Sequence, residues 1–247
     1  MKLAMVAYAK LNLDLKVLGP AQGGHHEISS HFQAISLHDL LMVEAADQTS
    51  LQGGFPDDLI LRSVSALEEA ANRRLPARWQ LFKRIPVGSG MAGGSSNAAL
   101  ALRALARLYR LEVNLHQVAK QIGADVPFFL QGGGQLTSGK GDVLRPATLA
   151  QGWFALAWPG FAISTGAVYQ AWDQLGGDGE NQLTRAALAI EPRLQTFVDQ
   201  LGSDWQMTGS GSAWFRKCSD RAMAEAAIAH LSCWKTIAQP IGRWDQP

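Results

Sequence analysis

A glycine-rich segment at residues 88–99, GSGMAGGSSNAA, is the part of the sequence best suited to hold phosphate. Its glycines leave backbone N–H groups accessible, and an apolar periodic run that predicts a helix starts near Ser95. The first turn of a helix has unpaired N–H groups and the positive end of the helix dipole. The hydroxyls of Ser95 and Ser96 can add contacts to a phosphate oxygen or to a Mg²⁺-bound water. The segment therefore predicts a cradle for a triphosphate.

Two other interpretations of this segment stay open. Gly88, Gly90 and Gly93 fit the G-x-G-x-x-G dinucleotide fingerprint, between a predicted strand and a predicted helix. Glu112 follows at a suitable distance, but the stretch after the helix is too short for a convincing parallel strand. A glycine-rich turn before an N-capping serine, with no ligand, is the other alternative. A Walker A loop is excluded, because Gly94 stands where its lysine would be.

Lys10 and Asp125 supply the groups that the glycine-rich segment lacks. Lys10 lies in a predicted strand with apolar neighbours, so it is either a snorkelling edge residue or a buried charge with a partner. Asp125 lies between a glycine and a predicted apolar strand, where it could equally cap a turn. If the two meet beside the cradle, they predict phosphoryl transfer. The carboxylate would orient the attacking hydroxyl or accept its proton, and the lysine would hold negative charge and keep the carboxylate ionised.

The elements that must position these residues predict an α+β fold in two layers, because strands and helices mix without a steady βαβ period. Strands are predicted within residues 3–18, 32–46, 78–87, 125–139, 153–160, 205–217 and the C-terminal tail. Helices are predicted within residues 57–75, 95–111, 114–123, 164–175, 181–201 and 220–232, the first of them capped by Asp57 or Asp58. A turn near residues 151–152 predicts a boundary between two lobes, 1–152 and 153–247.

The composition is that of a globular protein, with 47% hydrophobic and 17% charged residues among 247. A net charge of +1 argues against a protein whose main function is to bind nucleic acid. Lys10, Asn12 and Asp14 interrupt the apolar N-terminal run, so it does not resemble a signal peptide, and no stretch approaches the length of a membrane helix. We expect a cytoplasmic protein with no membrane partner, in which Cys218 and Cys233 are free thiols.

The segments PVGSGMAGGSSNAA and MTGSGSAWF resemble two motifs of the GHMP kinase superfamily, named for galacto-, homoserine, mevalonate and phosphomevalonate kinases. The match runs in order over nearly the whole chain. The resemblance implies a two-lobe α+β fold, with a mixed sheet and helices in the N-terminal lobe and an α/β-plait-like C-terminal lobe. ATP and a small alcohol would bind between the lobes, and the ATP γ-phosphoryl would pass in line to a hydroxyl without a covalent enzyme intermediate.

Four further segments are similar to the branch of this superfamily that acts on a CDP-linked methylerythritol in the non-mevalonate isoprenoid pathway. They are AKLNLDLKVLG, GGHHEISSHFQAISLHD, GADVPFFLQGGGQLTSGKGDVLRP and WPGFAISTGAVYQAW. The resemblance implies the substrates ATP, with Mg²⁺, and this cytidine-linked alcohol. It also implies a monomer or weak homodimer.

The resemblance implies a role for each matched position. Lys10 and Asp125 would be the catalytic pair. ATP would be bound by Asp58, Lys83, Pro86, Gly88, Ser89, Gly90, Met91, Ala92, Gly93, Gly94, Ser95, Ser96 and Asn97. The alcohol would be bound by Asn12, His25, His26, Thr165, Tyr169, Gly209 and Ser210. His26 is expected to hydrogen-bond the cytosine edge, and Tyr169 to stack on the cytosine ring.

The chain departs from the family pattern at a few positions. His25 stands in place of a tyrosine that would stack on the other face of cytosine, and it offers less area. Ala92 replaces a glycine of the loop, and we expect its φ to be negative, since alanine avoids positive φ. A His25–His26 metal site is not expected, because no third ligand is spaced to join them. Two alternatives remain: a GHMP kinase for another small alcohol, such as homoserine or a phosphorylated mevalonate, and a non-catalytic nucleotide binder.

Overall fold

The protein, described here by a computed structural model over residues 2–21 and 24–244, is built from two sheets and their covering helices. The strands are β1 (Lys2–Asn12), β2 (Lys16–Pro20), β3 (His26–Ala45), β4 (Ser50–Gln52), β5 (Ala77–Phe82), β6 (Gly134–Ser138), β7 (Val143–Pro146), β8 (Trp153–Trp158), β9 (Trp205–Met207), β10 (Trp214–Cys218) and β11 (Trp234–Ala238). The helices are α1 (Leu59–Ala71), α2 (Gly93–Tyr109), α3 (Leu115–Ile122), α4 (Thr165–Leu175), α5 (Thr184–Ile190), α6 (Arg193–Leu201) and α7 (Arg221–Ala229).

The first sheet is organised around the 20-residue strand β3. Strands β1, β2, β5 and β6 all pair with β3 in the antiparallel sense, while β4 pairs with β5 in parallel, so the sheet is mixed. The register of β1 against β3 places Lys10 opposite Ala34 and Asn12 opposite Phe32. These polar side chains therefore stand at the end of β1, deep in the molecule.

Helices α1, α2 and α3 cover the first sheet and bury its main apolar cluster. On α1, Val64 and Leu67 face the cluster at helical spacing, and Asp58 caps the helix by accepting a hydrogen bond from the Ile60 N–H at 2.8 Å. The alternative cap, Asp57, lies outside the helix with φ of 56°. The small residues on the buried side of α2 let it pack closely on β1.

The second sheet has the strand order β11-β8-β10-β9, with every pair antiparallel. Helices α4 to α7 pack with it around a second apolar cluster that includes Val168, Leu194 and Trp205. A third cluster joins the two sheets, and its members include Leu11, Ile35, Phe154 and Phe215. After β11 the chain returns to the first sheet, where Pro240 bridges to Ile35 and Arg243 to Gly132.

The α+β fold class is confirmed, and most elements lie where the periodicity predicts them. The predicted strand over 125–139 is wrong in its first half, because residues Pro127–Leu130 form a 3-10 helix. Phe128 and Phe129 are both buried, and the proline at the first position suits a helical turn. A short apolar run without alternation does not distinguish a strand from a buried helical turn. The strand β6 begins only at Gly134.

The predicted strand over 3–18 is divided in two. The chain leaves β1 after Asn12 and resumes pairing at Lys16. Asp14 stabilises the break, since its carboxylate accepts a hydrogen bond from the His31 N–H at 2.7 Å. Both cysteines are free, as expected, with Cys218 buried and Cys233 half-buried. Among the described residues, none of the helices has both the length and the apolar character that crossing a membrane requires.

Candidate active site

A cleft of about 910 Å³ receives side chains from both sheets and their helices. All the residues predicted for the site line this cleft except Met91 and Ser96. Met91 is fully buried in the cluster that joins the sheets, and its carbonyl accepts a hydrogen bond from the backbone N–H of Lys10 at 3.1 Å. Ser96 is 3% exposed, so of the two serines only Ser95 lines the cleft.

Lys10 is a buried cation with a defined set of partners. Its Nζ lies 2.5 Å from Asn12 Oδ1 and 3.7 Å from Asp125 Oδ2. The same ammonium lies 4.5 Å from the centre of the Phe32 ring, a cation–π distance. Burial lowers the pKa of Lys10, and the negative charge of Asp125 partly opposes that shift. Of the two alternatives for this lysine, the buried and partnered one is correct.

Asp125 is positioned by the end of α3 and the 3-10 helix that follows. α3 ends at Gly123, and the Val126 N–H closes a turn on the Gly123 carbonyl at 3.1 Å, so Asp125 is held within a tight bend. Its side chain is 31% exposed and lines the cleft beside Lys10. Across the cleft, burial and the negative charge of Asp125 raise the pKa of Tyr169 to about 12. The charge of Asp125 therefore raises the pKa of Tyr169 and limits the lowering of the pKa of Lys10.

The glycine-rich segment turns directly into α2, whose helix begins at Gly93, two residues before the predicted start. Ala92 is the N-cap residue, and no side chain caps the helix there. The prediction that Ala92 has negative φ is wrong, because its φ is 55°. An alanine in this left-handed region costs about 1–2 kcal/mol, which the packing around the loop must offset. Because alanine cannot cap, the first N–H groups of α2 stay available to a ligand.

The second glycine–serine turn packs against the first. A Cβ on Gly90 would lie 2.4 Å from the Thr208 carbonyl oxygen, so only glycine allows this approach of the two backbones. The Ala213 N–H donates to the Ser89 carbonyl at 3.0 Å, and the Thr208 hydroxyl accepts from the Asn12 N–H at 2.9 Å. The 209–211 turn is therefore part of the site rather than an isolated hairpin.

The far end of the cleft is aromatic. His26 stacks on Tyr169 with ring centres 4.7 Å apart, and its Nε2 lies 2.6 Å from Asp173 Oδ1. The Thr165 and Ser210 hydroxyls are 2.8 Å apart and connect α4 to the 209–211 turn. His25 lines the cleft and is exposed, while Gly23 of the same motif lies outside the described residues.

Sequence reasoning missed several residues of the cleft. Asp173 lies four residues after Tyr169, one helical turn away, so the helical period of α4 could have identified it. Gln170 follows Tyr169 directly, and that period does not identify it. The segment before α1 also lines the cleft, through Phe55 and Pro56. Asp39, which holds Lys83 at 2.5 Å, was missed as well.

The dinucleotide interpretation does not fit the topology. β5 leads into the loop and α2, but α2 is followed by α3 and not by a strand parallel to β5. Over the ranges that the structure describes, no group of three or more histidine, cysteine, aspartate or glutamate side chains is placed to hold a metal ion.

Comparison with known proteins agrees with this geometry. Residues 58–133 match the family model described as the GHMP kinases N terminal domain. The 4-diphosphocytidyl-2-C-methyl-D-erythritol kinase of Thermus thermophilus is 35% identical over an alignment of 93% of this chain and 92% of that protein. The protein of the same name from Thermotoga maritima is 41% identical over 67% of this chain and 63% of its own length, less than two thirds of it.

A solved structure shows the same likeness in three dimensions. The crystal structure of a 4-(cytidine 5'-diphospho)-2C-methyl-D-erythritol kinase superimposes with a TM-score of 0.80 at 32% identity. The superposition covers 96% of this chain and 99% of the solved one. The two-lobe GHMP kinase fold implied by the sequence motifs is thereby confirmed. The chain belongs to the 4-diphosphocytidyl-2-C-methyl-D-erythritol kinase family of GHMP kinases.

Proposed function

We propose that this protein transfers the γ-phosphoryl group of ATP to a hydroxyl of 4-diphosphocytidyl-2-C-methyl-D-erythritol. The observation that carries the proposal is the meeting of Lys10 and Asp125, 3.7 Å apart, in the same cleft as the uncapped N-terminus of α2. A phosphate cradle alone would bind nucleotide. A carboxylate beside it, with a buried lysine, adds the groups that an acceptor hydroxyl needs.

The roles follow from the positions of the groups. The N–H groups at the start of α2 and the Ser95 hydroxyl hold the triphosphate. Asp125 orients the acceptor hydroxyl and takes its proton, while Lys10 stabilises the negative charge that develops between carboxylate and phosphoryl group. Asn12 positions Lys10 through the 2.5 Å contact with its Oδ1. No side chain in this arrangement needs to form a covalent intermediate.

Mg²⁺ fits this site as a companion of ATP rather than as a resident ion. The Ser95 hydroxyl offers an oxygen atom of the kind that Mg²⁺ prefers, and the ion keeps several waters when phosphates bind it. The described residues offer no cage of three or more acidic, histidine or cysteine ligands. When bound, Mg²⁺ supplies charge neutralisation on the phosphates.

The aromatic end of the cleft suits the cytidine part of the substrate. Tyr169 provides a ring on which cytosine can stack. His26, whose Nε2 lies 2.6 Å from Asp173 Oδ1, provides its other ring nitrogen for the polar edge of the base. His26 covers one face of Tyr169. The base therefore either takes the other face of Tyr169 or displaces His26 from the stack. His25, in place of the family's tyrosine, contributes the smaller of the two flanking rings.

The cleft lies between residues of both sheets, which supports the proposed lobes 1–152 and 153–247. β1 to β7 fall in the first range and β8 to β11 in the second. We further propose that the enzyme works as a cytoplasmic monomer or weak homodimer.

An ADP-release assay with purified protein, ATP and Mg²⁺ tests the proposal. We expect ADP production with the cytidine-linked alcohol and none with homoserine or phosphorylated mevalonate. ADP production only with an alcohol that lacks cytidine would show a GHMP kinase of another specificity. Binding of both substrates without ADP production would show a non-catalytic binder, and either result would overturn the proposal.

A further inference from the structure

Asp39, on β3, is a fully buried carboxylate that collects four hydrogen bonds. Its Oδ2 accepts from Lys83 Nζ at 2.5 Å and from Asn97 Nδ2 at 3.0 Å. Its Oδ1 accepts from the N–H groups of Arg84 and Ile85 at 2.7 and 2.9 Å. A buried carboxylate needs hydrogen bonds of this number, and here three of the donors lie on the approach to the glycine-rich segment and the fourth, Asn97, lies within it.

The two side chains that Asp39 binds both line the cleft, while Asp39 itself does not. Lys83 Nζ also lies 3.3 Å from Asn97 Oδ1, so Asp39, Lys83 and Asn97 form a closed set of contacts. An ammonium has three N–H donors, and these two acceptors use two of them. The Lys83 side chain is 17% exposed, which leaves the third donor for a ligand in the cleft.

The position of Lys83 explains why a charge is needed behind it. A Cβ on Gly93, the first residue of α2, would lie 3.0 Å from Lys83 Nζ. The ammonium therefore lies beside the positive end of the α2 dipole, where an unpaired cation is unfavourable. Asp39 offsets that repulsion, and its second oxygen fixes the backbone of Arg84 and Ile85 where the chain leaves β5.

We infer that Asp39 is a positioning residue for the nucleotide, which acts through Lys83 and Asn97 and never touches the ligand. The inference rests on the proposed assignment of ATP to the α2 end of the cleft. It also predicts that the Lys83–Asp39 pair acts on the nucleotide as an oriented hydrogen-bond donor rather than as a free positive charge, since the pair as a whole is neutral.

The test is a double-mutant cycle between Asp39→Asn and Lys83→Met, read by calorimetric titration of ADP with Mg²⁺. In Asp39→Asn, the amide oxygen can still accept hydrogen bonds from the N–H groups of Arg84 and Ile85. The NH₂ group, however, then faces the Lys83 ammonium and the Asn97 amide, which are both donors. We expect each single variant to weaken ADP binding about tenfold or more, and the double variant to bind no more weakly than Lys83→Met alone. The KM of the cytidine-linked alcohol should not change in either single variant or in the double variant.

If Asp39→Asn weakened ADP binding as much in the Lys83→Met background as in the wild type, the inference would be overturned, because Asp39 would then act independently of Lys83. Unchanged ADP affinity in both single variants would overturn it as well. If Asp39→Asn alone does not fold, the double variant should regain folding, since it lacks the unpaired cation; a double variant that also fails to fold would make Asp39 purely structural. ADP titration needs no alcohol, so a wild-type protein that fails to phosphorylate the cytidine-linked alcohol would overturn the proposed function and leave this result to stand on its own.

Discussion

Lys10 and Asp125 meet in the cleft with their charged atoms 3.7 Å apart, one from the end of β1 and the other from a bend after α3. The two differ sharply in exposure, with 4% of the Lys10 side chain and 31% of the Asp125 side chain accessible. The lysine is thus fixed from behind by Asn12 and Phe32, while the carboxylate faces the space where an acceptor would bind. This asymmetry supports the proposed roles, charge stabilisation for the lysine and proton transfer for the aspartate.

Replacement of Asp125 by asparagine should abolish proton transfer and preserve nucleotide binding. We expect kcat to fall by about 10²–10⁴-fold, the usual contribution of a general base, because the amide cannot accept the hydroxyl proton. ADP affinity should stay close to that of the wild type. Asp142→Asn is the matched control, since Asp142 pairs with Lys120 and does not line the cleft. Turnover by Asp125→Asn at the wild-type rate would remove Asp125 from the mechanism.

Loss of the Tyr169 ring should weaken binding of the cytidine-linked alcohol without affecting ATP. Stacking of one base on an aromatic side chain contributes about 1–3 kcal/mol, so Tyr169→Ala should raise the KM of the alcohol about 5- to 150-fold. Tyr169→Phe keeps the ring and serves as the control. Steady-state kinetics with each substrate varied in turn measures the KM of the alcohol and the KM of ATP separately. If the alanine and phenylalanine variants behaved alike, stacking would not be the role of this ring.

The Tyr169 hydroxyl should ionise later than an ordinary tyrosine, because burial and the charge of Asp125 raise its pKa to about 12. The unfolded chain releases the same proton near the model value of 10.0. The stabilising contribution of this group is therefore fully present below pH 10 and is lost as pH rises through about 12. Tyrosinate absorbance, as the difference between wild type and Tyr169→Phe, measures the midpoint.

Asp125→Asn provides the second arm of that titration. Removing the carboxylate charge should move the Tyr169 midpoint to lower pH, whereas Asp142→Asn should leave it in place. A midpoint insensitive to Asp125→Asn would mean that burial alone sets this pKa.

Glycine should be preferred over alanine at position 92. Ala92 has φ of 55°, where an alanine costs about 1–2 kcal/mol and a glycine almost nothing. Because glycine also gains about 0.5–1 kcal/mol of freedom in the unfolded chain, we expect Ala92→Gly to raise the free energy of unfolding by roughly 0.5–1 kcal/mol. Denaturant unfolding measures this. Ala106→Gly, within the same helix, should instead lower the unfolding free energy by about 1 kcal/mol.

Gly90 should not accept a side chain. Its φ is 81°, and a Cβ would lie 2.4 Å from the Thr208 carbonyl oxygen and 2.8 Å from that of Gly211. Gly90→Ala should therefore push the two glycine-rich turns apart and lower the unfolding free energy by at least about 2 kcal/mol. Gly94→Ala is the control for stability, since its Cβ would have only an ordinary contact, 3.5 Å from Leu59 Cδ1. Equal stability of the two variants would contradict the close packing of the turns.

The sequence was sufficient where the signal was local. The glycine-rich segment, the helix after it and the cap of α1 depend on neighbouring residues. The helix begins within two residues of its predicted start, and Asp58 is one of the two predicted caps. The two glycine-rich turns and the Lys10–Asp125 pair were placed together only by resemblance to a family. Their roles stay predictions, although the cleft brings them together.

Asp39 shows why other residues around the site could not be predicted from the sequence. Within its strand it resembles any polar residue of an exposed position, yet it is fully buried. Its donors lie 44 to 58 positions further along the chain, so only the folded sheet brings them to one carboxylate. The prediction for the φ of Ala92 failed for a related reason. The rule that alanine avoids positive φ does not include the tertiary contacts that hold this backbone.

The apolar cluster that joins the two sheets bears on how the molecule unfolds. Leu11 and Ile35 come from the first sheet and Phe154 and Phe215 from the second, and all four are at most 1% exposed. Separating the lobes would bring this surface into water at a cost of about 25 cal/mol for each square ångström of apolar area. Neither lobe can therefore melt without destabilising the other, so heat or denaturant should meet a single cooperative unit.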